Sequence, residues 1–213
     1  AGEYIFPEKR IILRAILLRS RVTQSLEEWT RGLDPVQSRI SVFEHIRNIP
    51  YSLDVPVKDP ATAPEHILVA GKGSCAPKHY LLAEMFRRIG LDTQFVITPF
   101  LWNDPDFRYP PELRRLAAVL PTAYHQACRV RINDRWILVD ATWDPRLKSA
   151  GFPVNETWDG RSTLRCAVKP LTGQPSPLTD ETEKRRTPGK LMEILRFHRG
   201  FNAWLAEVRE KTW

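Results

Sequence analysis

Cysteine is scarce in this chain of 213 residues, which has only Cys75, Cys128 and Cys166. An odd count with no Cys-x-x-Cys pair argues against a disulfide framework and against a zinc ribbon. Each thiol is then either a small buried hydrophobe or a working group. Long apolar runs are missing too. The densest early one, Ile11-Ile12-Leu13, breaks at Arg14 and again at Arg19, far short of the ~18 residues that suggest a membrane span. No small-residue cleavage signal follows it, so it does not read as a secretory leader, and a cytoplasmic protein without membrane association is expected. Internal repeats are lacking. So is a P-loop, because the glycines near residue 72 stand in the order Gly-Lys-Gly-Ser rather than Gly-x-x-x-x-Gly-Lys-Ser/Thr.

What is present fits a globular protein: 42% hydrophobic and 27% charged residues describe a chain able to bury a core without staples. Lysine and arginine exceed aspartate and glutamate by 32 to 25, a net charge of +7. That balance permits an acidic partner. The basic residues, however, are dispersed as Arg87-Arg88, Arg114-Arg115 and Lys184-Arg185-Arg186. No reader motif accompanies them, so nucleic acid is not the expected partner.

A single domain over 1–213 is expected, in three parts. Residues 1–50 read as helical: Ile12, Ala15, Ile16 and Arg19 keep helical spacing, as do Val42, His45, Ile46 and Ile49, with Gly32-Leu33-Asp34-Pro35 punctuating between them. Pro50 ends the second helix. A Pro- and Asp-rich extended connection follows from Ser52 to Pro64. The part carrying the chemistry is expected over 65–145. The rest, 146–213, is a C-terminal extension with a biased, loop-like stretch at about 170–190. A final amphipathic helix there has the stripe Leu191, Ile194, Leu195, His198, Phe201, Leu205 and Val208.

The sharpest pattern begins at Gly71-Lys72-Gly73-Ser74-Cys75. Leu82, Met85, Phe86 and Ile89 fall at i, i+3, i+4 and i+7, so a helix with one buried face runs from Cys75 to Gly90. Ser74 can cap its start and Gly90 suits the left-handed residue after its end. Cys75 therefore sits at the positive end of a helix dipole, where a thiolate is favoured and where amide groups could hold an oxyanion. The preceding glycines would let a substrate backbone approach closely.

Further along, Tyr124–Ile132 and Arg135–Asp140 are β-rich runs separated by Asn133-Asp134, the signature of a hairpin. A two-residue turn pairs Ile132 with Arg135. Counting outward sets Arg131 against Trp136, Arg129 against Leu138 and Ala127 against Asp140. His125 then shares a sheet face with Asp140 as a diagonal neighbour, within reach of an imidazole–carboxylate bond; a four-residue loop keeps this pairing, whereas a three-residue loop would put the two on opposite faces. An oriented histidine of this kind can take a proton from a thiol. Two competitors remain open: His79, four residues after Cys75 on the same helical face, and Asp144, which shares strand parity with Asp140. Cys128 faces away from His125. Cys166, after the Trp158-Asp159-Gly160 turn, reads as structural.

These residues resemble the transglutaminase-like superfamily of papain-type cysteine enzymes. The resemblance rests on Gly73-Ser74-Cys75 with Gly90, on Tyr124-His125, and on Trp136-Ile137-Leu138-Val139-Asp140, and it spans about residues 40–145. It implies an α+β fold whose nucleophile helix packs on an antiparallel sheet, with extra helices at both ends. It further implies a catalytic triad of nucleophile Cys75, base His125 and orienting Asp140, and an oxyanion-stabilising side chain upstream, for which Tyr51 is nearest. The acidic calcium-binding segments of animal cross-linking enzymes and the paired Cys-x-x-Cys zinc site of the peptide N-glycanase branch have no counterpart here, so no cofactor is expected. The implied activity is acyl transfer or hydrolysis at an amide bond of a peptide or amide substrate, through a thioester. The competing readings are a non-catalytic binding module that keeps the cleft and a basic nucleic-acid-associated protein. The Pro- and aromatic-rich stretch from Pro99 to Pro111 is either a cleft-flanking loop or a packed excursion.

Overall fold

Asn133 and Asp134 take left-handed φ values of 49° and 61°, the pair of positive angles that a type I′ hairpin turn requires. That turn sets the register of a four-stranded antiparallel sheet. In the computed structural model, which describes residues 20–54, 59–171, 173, 175–177 and 191–211, strand β1 spans Thr93–Phe100, β2 Ala123–Ile132, β3 Arg135–Val139 and β4 Ser176–Pro177. Their order is β3-β2-β1-β4. Ile132 pairs with Arg135 and Arg129 with Leu138, as the turn arithmetic expects. Strand β1 pairs with β2 so that Thr98 lies opposite His125.

Helices α1 (Arg21–Thr30) and α2 (Pro35–Asn48) follow the punctuation at Gly32, whose φ is 72°. Asp34 caps α2 by accepting the amides of Val36 and Gln37. The apolar spacing over Ile12–Arg19 lies outside the described residues, as does most of the biased stretch at 170–190. Helix α3 (Ala63–Ala70) closes the connection that starts at Ser52, and α4 (Cys75–Arg88) is the helix expected after Gly73.

Helix α4 is more central than a one-faced helix. Leu82, Met85 and Phe86 are buried as expected, but so is every residue from Pro77 to Ala83. The helix is buried on several sides because α2 and α3 cover it opposite strand β2. An aliphatic core results, with Val42, Ile46, Ile67, Leu82, Met85 and Val130 at its centre.

A second core is aromatic. Phe100, Trp102, Phe107 and Tyr109 from the 99–111 stretch meet Tyr51, Trp143, Phe152 and the last helix, α6 (Leu191–Glu210); the short α5 (Pro111–Ala118) lies between β1 and β2 in sequence. The stripe read for α6 needs correction. Leu191 is 59% and Leu195 51% exposed, whereas Phe197, Phe201, Trp204 and Leu205 are buried. The face is rotated because the partner surface is a nest of aromatic rings. Phe197 lies tilted against Trp102, and Trp204 meets Tyr109 edge-on.

Candidate active site

Cys75 is the first residue of α4 and is half-buried. Ser74 occupies the cap position in extended geometry, but its hydroxyl makes no capping bond. The expected cap is therefore not formed, and the serine leaves the positive helix end to the thiol. Gly73 serves a different purpose from the one its sequence suggests. A Cβ there would lie 2.7 Å from Ile67 Cδ1, so the glycine lets the backbone press onto α3. Its amide donates to the Pro50 carbonyl and its carbonyl accepts from Ser52, forming a parallel bridge to Tyr51. That bridge draws the Tyr51 segment alongside the nucleophile.

Strand β2 brings His125 to Cys75 and to Asp140 at the end of β3. His125 Nε2 lies 2.8 Å from Asp140 Oδ2, and both residues are buried. His125 also acts on the Cys75 thiol; with Nε2 engaged by Asp140, Nδ1 is the nitrogen left for sulfur. Burial alone would push the Cys75 thiol up, yet the bond and charge of His125 and the backbone amide of Gln126 bring it below its ordinary value. Burial would likewise lower His125, but the Asp140 carboxylate and the Cys75 sulfur hold it well above 6.5. For Asp140 burial opposes ionisation, and the His125 charge and bond, with His79 and Thr142, overcome it and keep the carboxyl well below the usual range. All three shifts run in the direction that favours a thiolate, an imidazolium and a carboxylate.

Asp140 is fixed by residues that sequence reasoning missed. Oδ1 accepts from the Thr142 amide at 3.2 Å and its hydroxyl at 2.6 Å, while Oδ2 accepts from the Ala167 amide at 2.8 Å. Asn155 Nδ2 donates to the Asp140 carbonyl, and Trp143 Nε1 donates to the Ala167 carbonyl. Thr142, two residues past an aspartate at a strand end, carries a readable local signal. The contribution of 155–167 is long-range and leaves none.

The two competitors are both assigned other work. His79 is fully buried, and its Nε2 accepts from the Ala141 amide at 3.1 Å. Nδ1 must then carry the proton and donates to the Cys75 carbonyl at 2.8 Å. With both nitrogens committed and burial pulling its pKa to about 4, His79 is a neutral spacer. Asp144 instead forms a two-point ion pair with Arg209 at 2.6 and 3.1 Å and accepts the Tyr51 amide at 2.9 Å. It braces α6 against the Tyr51 segment and does not reach His125.

One turn into α4, the fully buried Lys78 donates to the carbonyls of Arg47, Ile49 and Thr142 at 3.0, 2.8 and 2.7 Å. Three carbonyls satisfy its three donors, although burial draws its pKa down to about 7. The ammonium thus ties α4 to the end of α2 and to the residue that holds Asp140.

Cys75 and His125 open onto a cleft of about 250 Å³ walled by Tyr51, Phe100, Trp102, Trp143 and His198. The Pro99–Pro111 stretch accordingly plays both roles expected of it: Phe100 and Trp102 line the cleft, and Phe107 and Tyr109 pack beneath. Burial and the Cys75 charge keep the Tyr51 phenol protonated, well above its usual pKa, so it can only donate to a developing oxyanion. Cys128 is buried in the aliphatic core and pushed up to about 12 by burial. Cys166 packs against the aromatic core, and its sulfur lies within 4.8 Å of ligand atoms of both His125 and Asp140.

A papain-type cysteine-enzyme fold is what this helix-on-sheet arrangement and its Cys–His–Asp alignment define. The sequence pattern of the transglutaminase-like superfamily matches residues 25–141, more than half the chain, and the protein belongs to that superfamily. None of the curated proteins compared with the sequence matches it. Among solved structures, a candidate cysteine protease from Cytophaga hutchinsonii superposes with a TM-score of 0.42 at 14% identity, covering 60% of this chain and 38% of that one. This chain therefore spans well under half the length of that protein.

Proposed function

We propose that the protein is a cysteine acyltransferase or hydrolase acting on an amide bond of a peptide or amide substrate. The thiolate of Cys75 adds to the amide carbonyl. The oxyanion is placed towards the Tyr51 phenol and the first-turn amides of α4. Collapse breaks the C–N bond, and imidazolium His125 gives its proton to the departing amine, leaving a thioester on Cys75 and neutral imidazole. Water or a second amine then attacks the thioester as His125 takes up its proton, and the thiol is regenerated. Asp140 keeps the ring oriented throughout. The observation that supports this reading is the buried 2.8 Å His125–Asp140 bond beside a thiol whose pKa is lowered at a helix N-terminus. A reducing, cytoplasmic setting belongs to the same proposal, because the three cysteines are free thiols. Among the described residues no helix is long and apolar enough to cross a membrane.

The test is incubation with a panel of peptides and amides, followed by mass spectrometry of the wild type and Cys75→Ala. An acyl adduct on Cys75 is expected in the wild type alone, and its mass identifies the donor. Identical products from both proteins would overturn the proposal.

A further inference from the structure

Cys166 has no part in the acyl-transfer scheme, yet it stands beside its general base. Its sulfur, a ring nitrogen of His125 and a carboxylate oxygen of Asp140 all lie within 4.8 Å of one another, the one such group of three among the described residues. Thiolate, imidazole and carboxylate are the donor types zinc takes, and a soft sulfur in the set disfavours magnesium and calcium. With metal–ligand bonds of about 2.0–2.3 Å, ligands on one tetrahedral ion sit roughly 3.3–3.8 Å apart. Closing the group therefore asks for about 1 Å of movement. Cys166 is the natural residue to supply it, because it lies outside any helix or strand; its sulfur makes a loose 3.8 Å approach to Thr98 Oγ1 and interacts with the Val168 backbone.

An entry path exists as well. Cys166 lines a cavity of about 660 Å³ that is walled also by Asp104 and Asp106 and by the cations Arg108, Lys148, Arg165 and Lys169, and that shares only Val168 with the Cys75 cleft. An ion can thus approach Cys166 without passing the nucleophile, and a water from that cavity can complete the fourth position.

We propose that Cys166, His125 and Asp140 form a regulatory zinc site that silences the enzyme. Binding releases two protons, one from the Cys166 thiol and one from the imidazolium, and the ion takes the place of the hydrogen that joins His125 to Asp140. No redox change is involved. The ring keeps its Nδ1 proton, but with Nε2 on the metal it could give that proton to the leaving amine only by becoming an imidazolate, so it no longer works as the acid. This silencing rests on the proposed acyl-transfer chemistry; the binding itself does not.

Zinc affinity measured by competition with a chromophoric chelator, and the sulfur-to-cobalt charge-transfer band with Co²⁺, give readouts independent of catalysis. The wild type and Cys75→Ala are expected to bind one equivalent at micromolar concentration and to show the band. Cys166→Ala is expected to bind at least about tenfold more weakly and to lose the band, while its Cys75 reacts with iodoacetamide at the metal-free wild-type rate. Equal affinity in Cys166→Ala would overturn the site. Loss of binding in Cys75→Ala would do the same, because it would place the ion on the nucleophile. Retained binding with no acyl adduct on any substrate would leave the metal site standing and sink the acyl-transfer reading alone.

Discussion

Strand β2 and helix α4 each deliver a buried imidazole to Asp140, and the two rings are shifted in opposite directions, His125 towards the cation and His79 towards the neutral form. His125 stands 2.8 Å from the carboxylate and His79 3.6 Å. Neither is more than 2% exposed, so burial does not separate them. What separates them is the other partner of each ring: the thiol beside the far nitrogen of His125, and the Ala141 amide on the same Nε2 that His79 turns to Asp140. His125 meets a thiol that gains by giving up its proton, whereas His79 meets a backbone N–H that can only donate. A fixed donor forces one imidazole to stay neutral, and an ionisable partner lets the other become a cation.

The comparison breaks most severely if the charged ring is removed. His125→Ala is expected to slow iodoacetamide alkylation of Cys75 near neutral pH, and any turnover, by about 10²–10⁴-fold. His79→Gln, an exchange that leaves the triad intact, should cost much less in alkylation rate. If the two substitutions slow alkylation equally, the division of roles between the rings is wrong.

Stability against pH separates them next. His79 has a folded pKa lowered from 6.5 to about 4, so below pH 6.5 the unfolded chain binds a proton that the folded one refuses. Its contribution is therefore present above pH 6.5 and is lost as pH falls to about 4, by about 3 kcal/mol in all. His125 is raised instead, so its contribution is complete below pH 6.5 and is lost only as pH rises through its folded pKa. Between pH 6.5 and 4 His79 adds its slope to that of His198, whose pKa burial also lowers. Urea midpoints over that window should fall in the wild type and fall clearly less in His79→Gln.

The smallest expected effect lies in the support of the shared carboxylate. Thr142→Val keeps the side-chain shape and removes the 2.6 Å hydroxyl bond to Asp140 Oδ1, a loss of about 1 kcal/mol. Alkylation of Cys75 should slow a few-fold, with its pH profile displaced less than in Asp140→Asn. An unchanged profile in Asp140→Asn would show that the carboxylate does not set the charge on His125.

Sequence reasoning reached the His125–Asp140 juxtaposition because a two-residue turn and a period of two leave a single register. It placed Cys75 because helical periodicity and two flanking glycines bound α4. It missed strand β1, where Pro99 and the absence of alternation hide a central strand. It also misjudged α6, because periodicity ranks Leu191 and Leu195 with Phe201, while the receiving surface, built by residues 51, 100–109 and 143–152, selects Phe197 and Trp204. The segment bearing Cys166 and Ala167 returns to the site from 26–27 residues beyond Asp140 through irregular chain, and nothing local announces that return.

Lys78 has one more consequence. An amine locked behind three carbonyls is out of reach of acid anhydrides and activated esters for as long as the native packing holds. It becomes an ordinary, reactive lysine the moment the packing opens. Its acylation half-life, followed by peptide mapping at fixed pH, is thus a clock for how often helix α4 detaches from the segments it joins, kept by a residue that no surface reagent can mark.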